Sequence, residues 1–134
     1  MEEPFEILEH TADVGFRVRG ASAAELFENA ARALVSFTQE DRSGATERVV
    51  ELRGDDYESL LVNWLSEVLY LVDSGEFRPH RFQVERISPY QLRARMIGEA
   101  GPAQWRLIVK AVTYHQIEVK EEGGRWEATV YLDV

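Results

Sequence analysis

The sequence predicts an α+β fold, a single compact domain over residues 1–134 in which antiparallel or mixed β-sheet packs with two α-helices. Three observations predict it. Two windows carry apolar residues at helical spacing, each entered through a capping residue. The second half alternates apolar and polar residues with period two, between Gly- and Pro-containing turns. No repeat, low-complexity stretch or linker divides the chain, and 134 residues is the size of one domain.

The elements follow in order. Phe5 to Leu8 and Gly15 to Arg19 read as short strands flanking the loop His10-Thr11-Ala12-Asp13-Val14-Gly15. Ser22 opens a helix, with Glu25 three residues on completing a capping box, and its apolar stripe is Leu26, Phe27, Ala30, Ala31, Leu34 and Phe37. A polar loop, 39–44, precedes a strand from Arg48 to Arg53, closed by Gly54. Asp55-Asp56-Tyr57-Glu58 caps a second helix, again with an acid three residues after the cap. That helix is apolar around most of its circumference and leaves only Ser59, Asn63, Ser66, Glu67 and Tyr70 as a polar strip, so it is expected to be buried on most sides. Gly75 suits its C-terminal end. Phe82 and Val84 mark one strand, and Tyr90, Leu92, Ala94 and Met96 the next, with Ser88-Pro89 turning between them. Gly98 to Gln104 reads as a loop. His115, Ile117 and Val119 are expected to share one face, half-buried, with Tyr114 opposite. Gly123-Gly124 turns the chain into a last strand, where Trp126, Ala128, Val130 and Leu132 face inward and Glu127, Thr129, Tyr131 and Asp133 outward.

Composition narrows the function. The chain has no cysteine, which removes disulfides, thiolate zinc sites and cysteine nucleophiles. The N-terminus shows no signal-peptide pattern and no run is apolar enough to span a membrane, so a cytoplasmic protein is the expectation. The net charge is −9 and the only lysines are Lys110 and Lys120, a poor footprint for independent nucleic-acid binding. Arg93 and Arg95, on one side of a strand, leave room for a local basic face. An acidic surface suits a hard cation or a basic partner. No GxGxxG, P-loop lysine or GxSxG is present, and His10, His80 and His115 have no helical metal-ligand spacing.

Candidate functional residues are few. Asp13 lies in a tight connection before Gly15, where a turn aspartate bonding its own backbone is the simpler account. Asp133 would be a solvent-facing residue of the terminal strand. If the last strand lies beside the first, the two carboxylates meet, and with the main chain of Val134 they suit Ca²⁺ or Mg²⁺. His10 could orient Asp13 or touch a partner, or make a structural hydrogen bond. Asn63 and Glu67, one turn apart, could be functional or a solvated helix face. Trp64, Trp105 and Trp126 fall on apolar patterns and read as core.

Four blocks coincide with a family pattern: Glu9-His10-Thr11-Ala12-Asp13-Val14-Gly15, Leu61 through Tyr70, Ile108 through His115, and Val130-Tyr131-Leu132-Asp133-Val134. On these the chain resembles the archease family over nearly its whole length. The resemblance implies a compact α+β fold with two helices and a divalent metal, usually calcium, with Mg²⁺ or Mn²⁺ as alternatives. The implied ligands are the Asp13 and Asp133 side chains and the Val134 main chain. His10, Asn63, Glu67 and His115 remain candidates for support or partner contact. The implied partner is the RtcB-type RNA ligase that seals tRNA halves after intron removal, with archease promoting ligase guanylylation and multiple turnover. Such a protein is a cofactor of an enzyme and not itself an enzyme. The rival expectations are a metal-dependent phosphoester hydrolase using Asp13, Asp133 and His10, and a chaperone or binding module without a metal role.

Overall fold

Among the described residues, period-two patterning draws seven strands and two capped apolar stripes draw two helices. The computed structural model describes residues 4–9, 13–39 and 43–134, with Glu9 described by its backbone alone. His10, Thr11, Ala12 and part of the expected loop over 39–44 lie outside the described residues. The elements are β1 (Phe5–Glu9), β2 (Asp13–Gly20), α1 (Ala23–Val35), β3 (Thr46–Arg53), α2 (Tyr57–Asp73), β4 (Arg78–Ser88), β5 (Gln91–Glu99), β6 (Ala111–Glu122) and β7 (Arg125–Asp133).

The β-structure is two sheets, β1-β2-β7-β6 and β3-β5-β4, and every pairing is antiparallel. α1 packs on β2 of the first sheet and β4 of the second, while α2 packs on β6 of the first and on strands of the second. Phe16, Val18, Val130 and Leu132 from one sheet and Phe82, Leu92, Ala94 and Met96 from the other meet Phe27, Leu34, Leu61, Trp64 and Leu65 in one core. Burying each of the larger aliphatic and phenyl side chains fully contributes about 1.5–3 kcal/mol, so packing and not helix propensity sets these elements. Trp64 crosses between the helices, its indole N–H donating to the Phe27 carbonyl at 2.9 Å.

A repeat that the sequence reading does not anticipate organises the molecule. β2-α1-β6-β7 and β3-α2-β4-β5 are two split β-α-β units, each with its last strand inserted between the other two, and the second unit lies in the chain between α1 and β6. Their entry corners match residue for residue at Arg19-Gly20 and Arg53-Gly54, at Leu26 and Leu60, and at Asn29 and Asn63. In both corners the asparagine Nδ2 donates back to the strand's last arginine carbonyl, at 2.8 Å from Asn29 to Arg19 and 2.7 Å from Asn63 to Arg53. The glycines are required because the helix backbone sits against them: a Cβ on Gly20 would lie 2.5 Å from the Leu26 nitrogen, and one on Gly54 2.8 Å from the Leu60 nitrogen. The units also interlock. Glu28 of α1 accepts from the Val84 N–H on the free edge of β4, and Glu58 of α2 accepts from the Val119 N–H on the free edge of β6. Each helix thus covers an edge belonging to the other unit, which blunts both edges against intermolecular pairing.

Several local expectations change. Ser22 caps α1, accepting from the Glu25 N–H, but the Glu25 carboxylate returns to the Ala21 N–H rather than to the cap residue. The cap of α2 is Asp56 with Ser59 closing the box, because Glu58 is taken by the β6 edge. Tyr90 lies in the turn after Pro89 and is 66% exposed, not a strand residue facing the core. Arg93 and Arg95 form no basic face. Arg93 pairs with Glu51 and Glu85, and Arg95 with Glu47 and Glu85. The hydrogen bond from Arg95 leads the causes that hold the Glu85 carboxyl below its ordinary range, and the Arg95 guanidinium is raised in return.

Candidate functional site

The last strand lies beside β2 and not beside the first strand, and that pairing places Asp13 and Asp133 together. Asp13 is the first residue of β2, not a turn residue, and its Cα partner across the ladder is Asp133. Their neighbours Val14 and Leu132 are buried in the core, so alternation turns both carboxylates to the outer face. Directly opposed like charges are unfavourable in an antiparallel pair. Neither carboxylate forms an ion pair among the described residues, and the Asp13 Oδ1 is buried without a hydrogen-bond partner there. An orphaned anionic oxygen facing a second carboxylate is a donor set short of a cation.

The surroundings hold this end in place. Lys110 donates its backbone N–H to the Asp133 carbonyl at 2.8 Å, and half-buried Val134 packs against the core. One row inward on the same face, the Tyr131 ring lies over Gly15, where any Cβ would approach it to 2.8 Å. Tyr131 is therefore only 7% exposed although its strand position points outward. Sequence reading missed this; the available signal was a glycine within a strand pattern, the usual mark of a covered aromatic or a close approach. The His115 ring meets Tyr131 edge to face with centroids 6.1 Å apart.

The remaining candidates divide. Asp13 and Asp133 are partners across the ladder with Val134 next in the chain, and the His115 ring stands against Tyr131, two residues before Asp133. His115 is exposed, and the expected alternation with Ile117 and Val119 fails because β6 departs from its ladder between Thr113 and Glu118. Asn63 is committed to the Arg53 carbonyl, a corner lock matched by Asn29. Glu67 is half-buried on α2, one turn beyond. His10 lies outside the described residues. Among the described residues no group of three or more His, Asp or Glu side chains converges, so those residues offer a cation two carboxylates and main-chain oxygens. Hard oxygen donors fit Ca²⁺, Mg²⁺ or Mn²⁺ and not a soft metal.

Two interlocked split β-α-β units with an acidic oxygen-donor pair at the end of one sheet define a small α+β protein whose site opens at its surface. The family model described as the Archease protein family matches residues 5–134, and the chain belongs to that family. It is 43% identical to the protein archease of Methanosarcina mazei over 97% of this chain and 95% of that one. It is 36% identical to that of Pyrococcus abyssi over 97% and 98%. The solution structure of a Methanobacterium thermoautotrophicum protein superposes with a TM-score of 0.80 at 35% identity, covering 98% of this chain and 99% of that one. A Thermotoga maritima crystal structure, described as an archease and possible chaperone, shares the fold with a TM-score of 0.65 at 22% identity, covering 100% and 98%.

Proposed function

We propose that this chain is a protein cofactor of an RtcB-type 3′-phosphate/5′-hydroxyl RNA ligase in tRNA splicing, promoting guanylylation of the ligase and its multiple turnover from the acidic end at Asp13 and Asp133. It acts in the cytoplasm and is not itself an enzyme. The observation that carries the reading is the buried Asp13 Oδ1, without a partner among the described residues and in register with Asp133. Such a pair fits a divalent cation, calcium foremost, held by the two side chains and the Val134 main chain. When bound, the cation supplies charge compensation at a nucleotide phosphate. The chain's own residues fix the donors: Lys110 holds the Asp133 main chain, and the Gly15–Tyr131 contact keeps the two strands in register. No helix among the described residues is long and apolar enough to cross a membrane. With a net charge of −9 the chain engages RNA only through a basic partner that already binds it.

Guanylylation of the ligase with this protein limiting tests the reading. Wild type is expected to accelerate it, while Asp13→Ala and Asp133→Ala lose the acceleration. Normal stimulation by both variants would leave a metal-free binding or chaperone role instead. Phosphoester turnover by the isolated chain would favour the hydrolase.

A further inference from the structure

A chain excursion in β6 stands next to the acidic pair. Thr113 pairs with Tyr131 and Glu118 with Thr129, so the four residues Tyr114 to Ile117 stand opposite Val130 alone. Three extra residues are looped out, and Tyr114, His115 and Gln116 are all exposed. Gln116 takes φ 53°, the left-handed region, and is the one described non-glycine residue to do so. The excursion is not slack. Thr113 donates its hydroxyl to the Tyr131 carbonyl at 3.1 Å and accepts from the His115 N–H at 3.3 Å, and the His115 ring is seated on the buried Tyr131.

Edge protection explains an irregular outer strand in general. It does not explain this one, because the Glu58 carboxylate already covers the β6 edge at Val119. Nor does it explain why two large side chains are held outward. Tyr114 is 59% exposed and reaches the opening lined by Arg53, Asn63 and Tyr90, while His115 faces the row beside Asp133. Excursions of this kind re-aim side chains next to functional sites, and strained backbone persists there when the surroundings over-determine it.

We infer that the knuckle Tyr114-His115-Gln116 is a docking element for a basic-rimmed cleft of a partner protein, with Tyr114 as anchor and His115 aligning the acidic pair against the partner's site. The partner's charge follows from complementarity. Glu118 lies two residues beyond the knuckle, and Asp133 stands opposite Ala111 shortly before it, with Asp13 as its own partner. The whole chain carries a net charge of −9, and the cation on the same strand, Lys120, is already paired with Glu118 at 3.0 Å. The identity of the partner as the RNA ligase rests on the function proposed above.

Two readouts with the full-length chain and the ligase test this: direct binding, by fluorescence anisotropy of the labelled chain, and stimulated guanylylation against chain concentration. Tyr114→Ala and His115→Ala are expected to weaken binding and raise the half-maximal concentration by about tenfold or more each, with the plateau of stimulation unchanged for Tyr114→Ala and lowered for His115→Ala, which loses the alignment. Both side chains are exposed, so these variants keep the fold, which their unfolding curves verify. Gln116→Gly, which adopts the same backbone without strain, is expected to bind as wild type does. Unaltered binding by both alanine variants overturns the docking role. Wild type that binds but does not stimulate overturns the activator reading alone, and the alanine effect on binding still judges the knuckle. Wild type that fails to bind the ligase overturns both. Tight binding of tRNA halves by the isolated chain, lost in Tyr114→Ala, would make the knuckle a nucleic-acid contact and overturn the protein-docking role.

Discussion

The two split β-α-β units share a corner, a helix lock and a strand order, yet their equivalent sheet ends differ in chemistry. Matching Arg19 with Arg53 and Glu127 with Gln91 across the two ladders brings the Asp13–Asp133 pair onto the Glu47–Ile97 pair. In the second unit Glu47 is bonded to the Arg95 guanidinium at 2.6 Å, and its partner across the strand is apolar. In the first unit two carboxylates face each other with no cation among the described residues. The same scaffold is satisfied at one end and left short of a counter-charge at the other. The second end is an ordinary sheet surface, whereas the first departs from what stability alone would select, and such departures mark function. The aromatic opposite the corner glycine differs as well. Trp126 is covered edge to face by Tyr57 at 5.1 Å, while Tyr90 stands open beside Tyr114.

If the corners are equivalent, filling either glycine should damage the fold most. Gly20→Val and Gly54→Val force a side chain onto helix backbone, and denaturant unfolding should show a loss of about 3 kcal/mol. The loss should be greater at Gly20, where the approach is closer. Damage at one position with full tolerance at the other would break the structural equivalence.

A smaller effect tests the difference between the sheet ends, and its sign reverses between them. Without metal, Asp133→Asn should stabilise the protein by about 0.5 kcal/mol through relief of like-charge opposition. Glu47→Gln should cost about 0.5 kcal/mol or less, being an exposed pair. Calorimetry in a chelator checks both. Added calcium should then raise the Tm of wild type and leave Asp133→Asn unmoved.

The smallest effect concerns acid. Glu85 has its folded pKa lowered by Arg95, so its contribution is present above about pH 4.3, the ordinary glutamate value, and is lost as the pH falls through the lowered one. Glu85→Gln should flatten the stability-versus-pH curve in that window. The first sheet's own network, Arg17 and Arg19 with Glu6 and Glu127, should be untouched.

Much of this was legible in the residues. The strand and helix assignments follow from period-two and helical spacing, and Gly123-Gly124, both at positive φ, make the tight turn their sequence announces. Legibility failed where a residue's partner is remote in the chain. Glu58 looks like a helix cap until the β6 edge claims it, and Arg93 and Arg95 look like a basic face until Glu47, Glu51 and Glu85 arrive from neighbouring strands. His115 looks half-buried until three extra residues break the alternation. The repeat escaped notice because it survives as a few spaced residues and because one unit is inserted into the other.

Of the loop His10 to Gly15, the residues Asp13, Val14 and Gly15 belong to β2, and His10, Thr11 and Ala12 lie outside the described residues. By itself the sequence determined the elements, the family pattern and the acidic balance, since these depend on local spacing and composition. Only the tertiary structure decided that Asp13 meets Asp133, because strand register is set by which apolar faces share a core, and a slip of either strand by one residue would have turned its carboxylate to the core face.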